Sequence, residues 1–334
     1  MSVQISDLKY FKSLVVNDTG ANGGGLGAVQ VVDGVSANIF PVVPQALRIS
    51  GHAGQWRKVF VKNNQSANEG LFNTAIYIEN PTLAQDMVFL AAGTLTDTQS
   101  DLSSPRLYGC GWLSQSINAA DTSIQVLVED GNVHIFQVGD TIRISNKATV
   151  NSDTGTEEYG VISSVSWNGD VATIGLQAGV SNAYSSTNQA TRVASLLSLG
   201  TIQASVTSVT VTSSGGDYDH DNFPVLADNQ GSVNQTFTLT FTSSTAFTLV
   251  GNTLGSLGSG NISGVNCAPL NPATGTPYLT INAAGFSGVF QAGDTIVIPI
   301  VPSAKGFWLK RIIPAATPSL AANKFVIVVE GESE

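Results

Sequence analysis

The residues with the best claim to chemistry lie in Gly216-Asp217-Tyr218-Asp219-His220-Asp221-Asn222, where carboxylates recur at alternate positions. Hard cations need several oxygen ligands, and Asp228 is the twelfth residue when Asp217 is counted as the first. That spacing echoes a calcium loop with ligands at positions 1, 3, 5 and 12, which makes Asp217, Asp219, Asp221 and Asp228 the candidate Ca2+ ligands. Against that chemistry, Asn222 replaces the turn glycine, Pro224 interrupts the loop and no helical pattern flanks it. A solvated acidic loop is the simpler reading.

Other reactive constellations are sparse. Three histidines, His52, His134 and His220, give a zinc site or a histidine-based triad little material. No G-x-S-x-G elbow or phosphate-cradling G-x-x-x-x-G-K-S/T occurs, and neither Gly23–Gly27 nor Gly255–Gly260 has dinucleotide-binding spacing. Cys110 and Cys267 form no C-x-x-C pair, so each is expected to be structural. No spacing singles out two acids for glycoside hydrolysis. The sequence therefore predicts a non-enzymatic chain with no catalytic residues and no cofactor besides that Ca2+ candidate.

The elements that must position these residues read as strands. Val206–Thr212 and Thr236–Val250 alternate β-branched or aromatic residues with polar ones, as half-buried strands do. Asp130-Gly131 and Asn168-Gly169 sit between apolar runs and predict two hairpins, because these pairs favour the φ > 0 turns that close them. Helical periodicity is confined to a short turn over Thr191–Leu199. The expected fold class is all-β, with two or three sandwich or small-barrel domains over 1–109, 110–199 and 200–334. Thr19–Gly27 is too glycine-rich for a core strand and predicts a flexible loop or an arm that orders against a neighbour.

One phrase recurs. Phe136-Gln137-Val138-Gly139-Asp140-Thr141-Ile142-Arg143-Ile144 returns as Phe290-Gln291-Ala292-Gly293-Asp294-Thr295-Ile296-Val297-Ile298. Its physical content is a Gly-Asp turn that delivers the chain into an alternating strand over a packed aromatic ring. The phrase fits both a duplicated domain and a common way of entering a strand.

Composition narrows the function classes. Only 11% of the 334 residues are charged, against about 25% in ordinary soluble domains. So few charges on an ordinary apolar fraction predict a surface covered by neighbours. The net charge of −10 opposes a specific nucleic-acid grip, which needs a basic surface. No apolar run reaches the length of a membrane span, and residues 1–7 lack the basic start and apolar stretch of a secretory signal. Assembly in the cytosol is expected. In a chain so short of cations, Arg57, Lys310 and Arg311 are the candidates for pairing with a neighbour's carboxylates. Glu330–Glu334 reads as a solvated acidic tail or the lining of a negative channel.

Several phrases resemble virion structural proteins of tailed phages and Mu-like prophages. They are Gly34–Pro41, Gln55–Asn63, Phe290–Ile298 and Gly306–Ala315, a minor part of the chain. The resemblance implies a symmetrically repeated subunit of a virion, assembled in the cytoplasm of a bacterial host. Its partners would be copies of itself, in hexameric rings or trimers, and other virion proteins. A tail-tube subunit fits, with inward carboxylates keeping DNA from adhering. A capsid-decorating or neck protein, and a glycan- or receptor-binding module built on Trp56, Trp112, Trp167 or Trp308, remain alternatives.

Overall fold

Alternating apolar and polar residues produce strands with one buried face, and the chain satisfies those faces in three separate cores. The computed structural model describes residues 2–321 and 323–333 and is all-β apart from one short α-helix, Gln45–Ser50, and a few 3-10 turns.

The first core lies between two sheets. One has six strands in the order Gly23–Val31, Leu8–Val15, His52–Asn63, Ala304–Ile313, Met87–Ala92 and Leu107–Tyr108; the other has Leu197–Ile202, Leu71–Asn80 and Val326–Ser333. Val59, Val61, Leu90, Phe307 and Leu309 of the larger sheet pack against Ile76, Tyr77, Ile78, Leu197 and Ile202 of the smaller. This is a β-sandwich.

The second core fills a closed six-stranded barrel of Glu157–Asn168, Val171–Leu176, Ser123–Leu127, Cys110–Leu113, Arg192–Ser195 and Thr141–Ser145. Closure leaves this part without a free sheet edge. A third core underlies a sheet built on Thr295–Val301, Gln235–Phe241, Ala246–Gly251 and Gly255–Asn261, with Ser205–Val206 and Thr210–Thr212 both paired to Thr295–Val301.

Several expectations need correction. Residues 304–333 do not belong with the strands of 205–301: they return to the sandwich, where Ala304–Ile313 is a central strand. The expected acidic tail is instead a strand, Val326–Ser333, paired with Leu71–Asn80 because its valines pack on the sandwich core; Glu334 lies outside the described residues. Thr191–Leu199 is extended, since its consecutive apolar side chains are shared between two cores, Val193 in the barrel and Ala194 and Leu197 in the sandwich. Asn168-Gly169 does close a hairpin, with Asn168 facing Val171. Asp130-Gly131 does not, because Ser123–Leu127 takes Val171–Leu176 and Cys110–Leu113 as its partners.

Buried polar contacts fix the third core to the sandwich. Ser303 Oγ donates to the carbonyls of Asn63 (2.6 Å) and Asn229 (2.7 Å), and Asn229 Nδ2 donates to Glu69 O (2.9 Å). Lys62 Nζ reaches Gln230 O at 2.7 Å. Asn63, Asn229 and Ser303 are fully buried, so replacing any one would strand a donor or acceptor without water.

Candidate assembly surface

The glycine-rich segment 19–27, expected to be a flexible loop or an arm that orders against a neighbour, is a turn through 19–22 that runs into a strand. Gly23–Val31 pairs with Leu8–Val15 through two register shifts, and two of its glycines, Gly23 and Gly27, sit where other atoms approach closely. A Cβ on Gly27 would lie 2.7 Å from the carbonyl oxygens of Lys12 and Ser13, and one on Gly23 would enter the Trp308 ring.

The turn end of this hairpin is pinned. Lys58 Nζ, buried beneath it, donates to Gly24 O (2.7 Å) and Asp97 O (2.9 Å) and pairs with Asp97 Oδ1 at 2.6 Å. Trp308 Nε1 donates to Asp97 Oδ2 at 2.7 Å. Burial lowers the Lys58 ammonium pKa, with Asp97 opposing it. Burial alone would raise the Asp97 carboxyl, but hydrogen bonds from Lys58, Trp308 and Thr94 outweigh it and hold the group below the usual range. The buried Asn22 adds donations from Nδ2 to Trp56 O and Gln99 Oε1.

Away from that turn end the outer side is open. Gly23 bridges to Thr98 and Gly24 N donates to Asp97 O, yet among the described residues no strand pairs with the outer side of 26–31. The strand contains neither a charge nor a proline, the usual protections of a free edge. Leu14, Val16 and Val29 are exposed beside it, and Val32, Val35, Val42 and Ile49 continue the exposure along the following segment. The sequence signal was Ala28-Val29-Gln30-Val31-Val32, an apolar-rich run that also fits a buried strand.

The cations expected at an interface have partners inside the chain. Arg57 is buried, and its Nη1 donates to Asp18 Oδ1 at 2.6 Å and to the carbonyls of Asn17 and Trp56. Arg311 is buried on Gln55 and Pro41 O, with its guanidinium 4.7 Å from the Phe40 ring. Lys310 is half-buried and sits 5.5 Å over the Trp56 ring. The expectation is thus corrected for Arg57 and Arg311, which are buried on partners within the chain, while Lys310 rests part-exposed on Trp56. Arg57, Lys58, Lys62, Arg143, Arg192 and Arg311 are all buried, so six of the chain's 14 basic residues are withdrawn from the surface.

The calcium expectation is also corrected. Asp217 Oδ1 accepts from Tyr218 N, Asp228 Oδ1 from Gln230 N and Gly231 N, and Asp219 takes both the backbone and side-chain amides of Asn222. Those bonds from Asn222 hold the Asp219 carboxyl below its usual range. Asp217 lies in a short strand with an exposed side chain, and Asp221 is exposed. Among the described residues, no three or more His, Cys, Asp or Glu converge as a metal site requires.

Two ionisable groupings at the barrel–sandwich joint had no sequence signature. Arg143, 1% exposed, bonds Glu157 Oε2 through Nε (2.9 Å) and Nη2 (2.6 Å) and lies 5.1 Å over the Tyr77 ring, while Lys147 Nζ takes Glu157 Oε1 at 2.6 Å. Nearby, Tyr159 Oη donates to Glu330 Oε2 at 2.8 Å. At the second grouping, burial together with Asp86 raises the Glu129 carboxyl to about 8. Asp86 is itself raised by burial, and it accepts from Asn323 Nδ2 at 2.6 Å. Cys110 is buried at the same joint, which pushes its thiol up to about 12, and both cysteines are free. That environment makes Cys110 a packing residue rather than a nucleophile.

No helix among the described residues is long and apolar enough to cross a membrane. No protein-family model matches the chain, and no curated protein or solved structure is significantly similar to it.

Proposed function

We propose that this chain is a non-enzymatic structural subunit that assembles with copies of itself through the open outer edge of residues 26–31. The observation that carries this reading is an uncharged, proline-free strand edge on a pinned hairpin, continuous with exposed Val29, Val32 and Val35. Isolated monomers protect such edges with charge, proline or cover, because the free N–H and C=O groups template further pairing. A second copy can add a strand there and cover the valines in the same step. The sparse charge supports this, since a chain of which only 11% is charged has few charged side chains to desolvate when its surface is covered.

The likeness of Gly34–Pro41, Gln55–Asn63 and Gly306–Ala315 to tailed-phage virion proteins gives the assembly its class. Within a virion the leading role is a tail-tube ring subunit, and the competing role is capsid decoration. A closed ring follows if the interface is heterologous and its rotation comes full circle.

The test is the oligomeric state of the purified chain against concentration, with a Val29→Lys, Val32→Lys double variant alongside. Wild type is expected to form defined oligomers and the variant to remain monomeric with an unchanged melting temperature. Sixfold rings in negative-stain images favour the tube and threefold particles favour decoration. A wild-type chain that stays monomeric at high concentration overturns the proposal.

A further inference from the structure

The barrel carries a second feature that the assembly reading does not use. His134 and Trp167 stack with ring centroids 4.7 Å apart and planes 16° from parallel, and Phe136 backs the indole at 6.4 Å. His134 is exposed and Trp167 half-exposed. Both border a concavity of about 230 Å3 whose remaining walls are Gly131, Asn132, Gly169 and Asp170.

Two turns build this site and hold each other still. Gly131 packs so closely on the Asn168-Gly169 turn that a Cβ would fall 1.9 Å from Gly169 O. Asp170 Oδ1 accepts from Gly131 N at 2.8 Å, and Val128 N donates to Asp170 O at 2.9 Å. Asp130 Oδ1 accepts from both the backbone and side-chain nitrogens of Asn132. Asp130 therefore orients the Asn132 amide, and Asn132 and Asp170 both line the concavity. Such preorganisation lowers the ordering cost of binding a small polar ligand.

We infer that the His134–Trp167 concavity is a binding site for a neutral saccharide residue. A pyranose has one face of C–H groups and a rim of hydroxyls, so it needs an aromatic surface beside a few fixed acceptors and donors. The outer face of the exposed His134 ring, held in place by Trp167 behind it, supplies the first, and Asn132, Asp170 and the backbone of two glycine turns supply the second. Asp170 in the wall and the absence of Lys or Arg from the lining disfavour sugar acids. The inference goes beyond the assembly proposal and stands without it, because the barrel is closed on itself.

The purified full-length chain is to be applied to an array bearing terminal glucose, galactose and N-acetylhexosamines beside sialylated counterparts. The best-bound glycan is then titrated calorimetrically. Retention of neutral glycans is expected, with His134→Ala and Asn132→Ala each weakening affinity by about tenfold at unchanged melting temperature. Trp167→Phe, which keeps an aromatic ring against the core, should weaken binding less than His134→Ala. Three results overturn the site: no neutral glycan retained, a preference for the sialylated set, or equal affinity in wild type, His134→Ala and Asn132→Ala.

Discussion

Phe136–Ile144 and Phe290–Ile298 enter their sheets through the same turn, yet the residue before the final isoleucine is Arg143 in one and Val297 in the other. The local geometry is nearly superposable in description. Gly139 and Gly293 have φ of 91° and 98°, Asp140 and Asp294 accept from Gln137 N and Gln291 N at 2.6 and 2.8 Å, and Phe136 and Phe290 are buried. The surroundings differ. The first strand sits between Glu157–Asn168 and Arg192–Ser195 in a closed barrel, and the second between Gln235–Phe241 and two short strands in an open sheet. Asp140 also pairs with Arg106, whereas Asp294 takes Ser213 Oγ at 2.5 Å. The phrase thus encodes how a strand is entered, and its neighbours decide which sheet is built.

The aromatic anchors test this most severely. Phe136→Ala and Phe290→Ala should each cost about 3–5 kcal/mol by denaturant unfolding. Phe290 stacks on Phe241 at 3.8 Å and Phe136 meets Trp167 at 6.4 Å, so the second loss should be at the upper end. A near-neutral result at either site would break the equivalence.

At the position where the copies diverge, Arg143→Ala should cost about 2–3 kcal/mol, below the full cost of a broken buried pair because Glu157 keeps Lys147. Val297→Ala should cost about 1 kcal/mol. Equal losses would mean that Arg143 does not tie the barrel to Tyr77 of the sandwich.

The barrel side also has a pH response. The folded Glu129 carboxyl titrates at about 8 instead of 4.5, so the folded state holds that proton more tightly than the unfolded chain. Its contribution is present below the unfolded value and lost as pH rises through the folded one. Melting temperature should therefore fall between about pH 5 and pH 9, and Glu129→Gln should flatten that decline. An unchanged slope in the variant would remove the acid pair from the account.

The smallest effect should be the most symmetrical. Gly139→Ala and Gly293→Ala meet no atom within 4 Å of the new Cβ, so only the positive φ is penalised, at about 1 kcal/mol in both copies. Unequal values would show that the two turns are held differently.

Much of the fold was readable because period-two alternation depends on local chain geometry alone. Thr236–Val250 shows it well: its buried Phe and Leu residues alternate with Thr on both sides of the turn at 242–245. The candidate sites were poorly readable because charge carries no address. Arg57 and Arg311 look like surface cations in sequence and lie within the sandwich, while three of the four carboxylates of 217–228, Asp217, Asp219 and Asp228, bond their own loops.

The sequence by itself determined the all-β class, the Gly-Asp turns and the scarcity of charge, since each follows from residue type and near-neighbour spacing. Only the tertiary structure decided that Ala304–Ile313 returns to lie beside His52–Asn63, that the outer side of 26–31 is left as an open edge, and that His134 meets Trp167. Those outcomes depend on which strands pair across long chain separations, and the free energy of such pairing resides in packed faces and completed ladders.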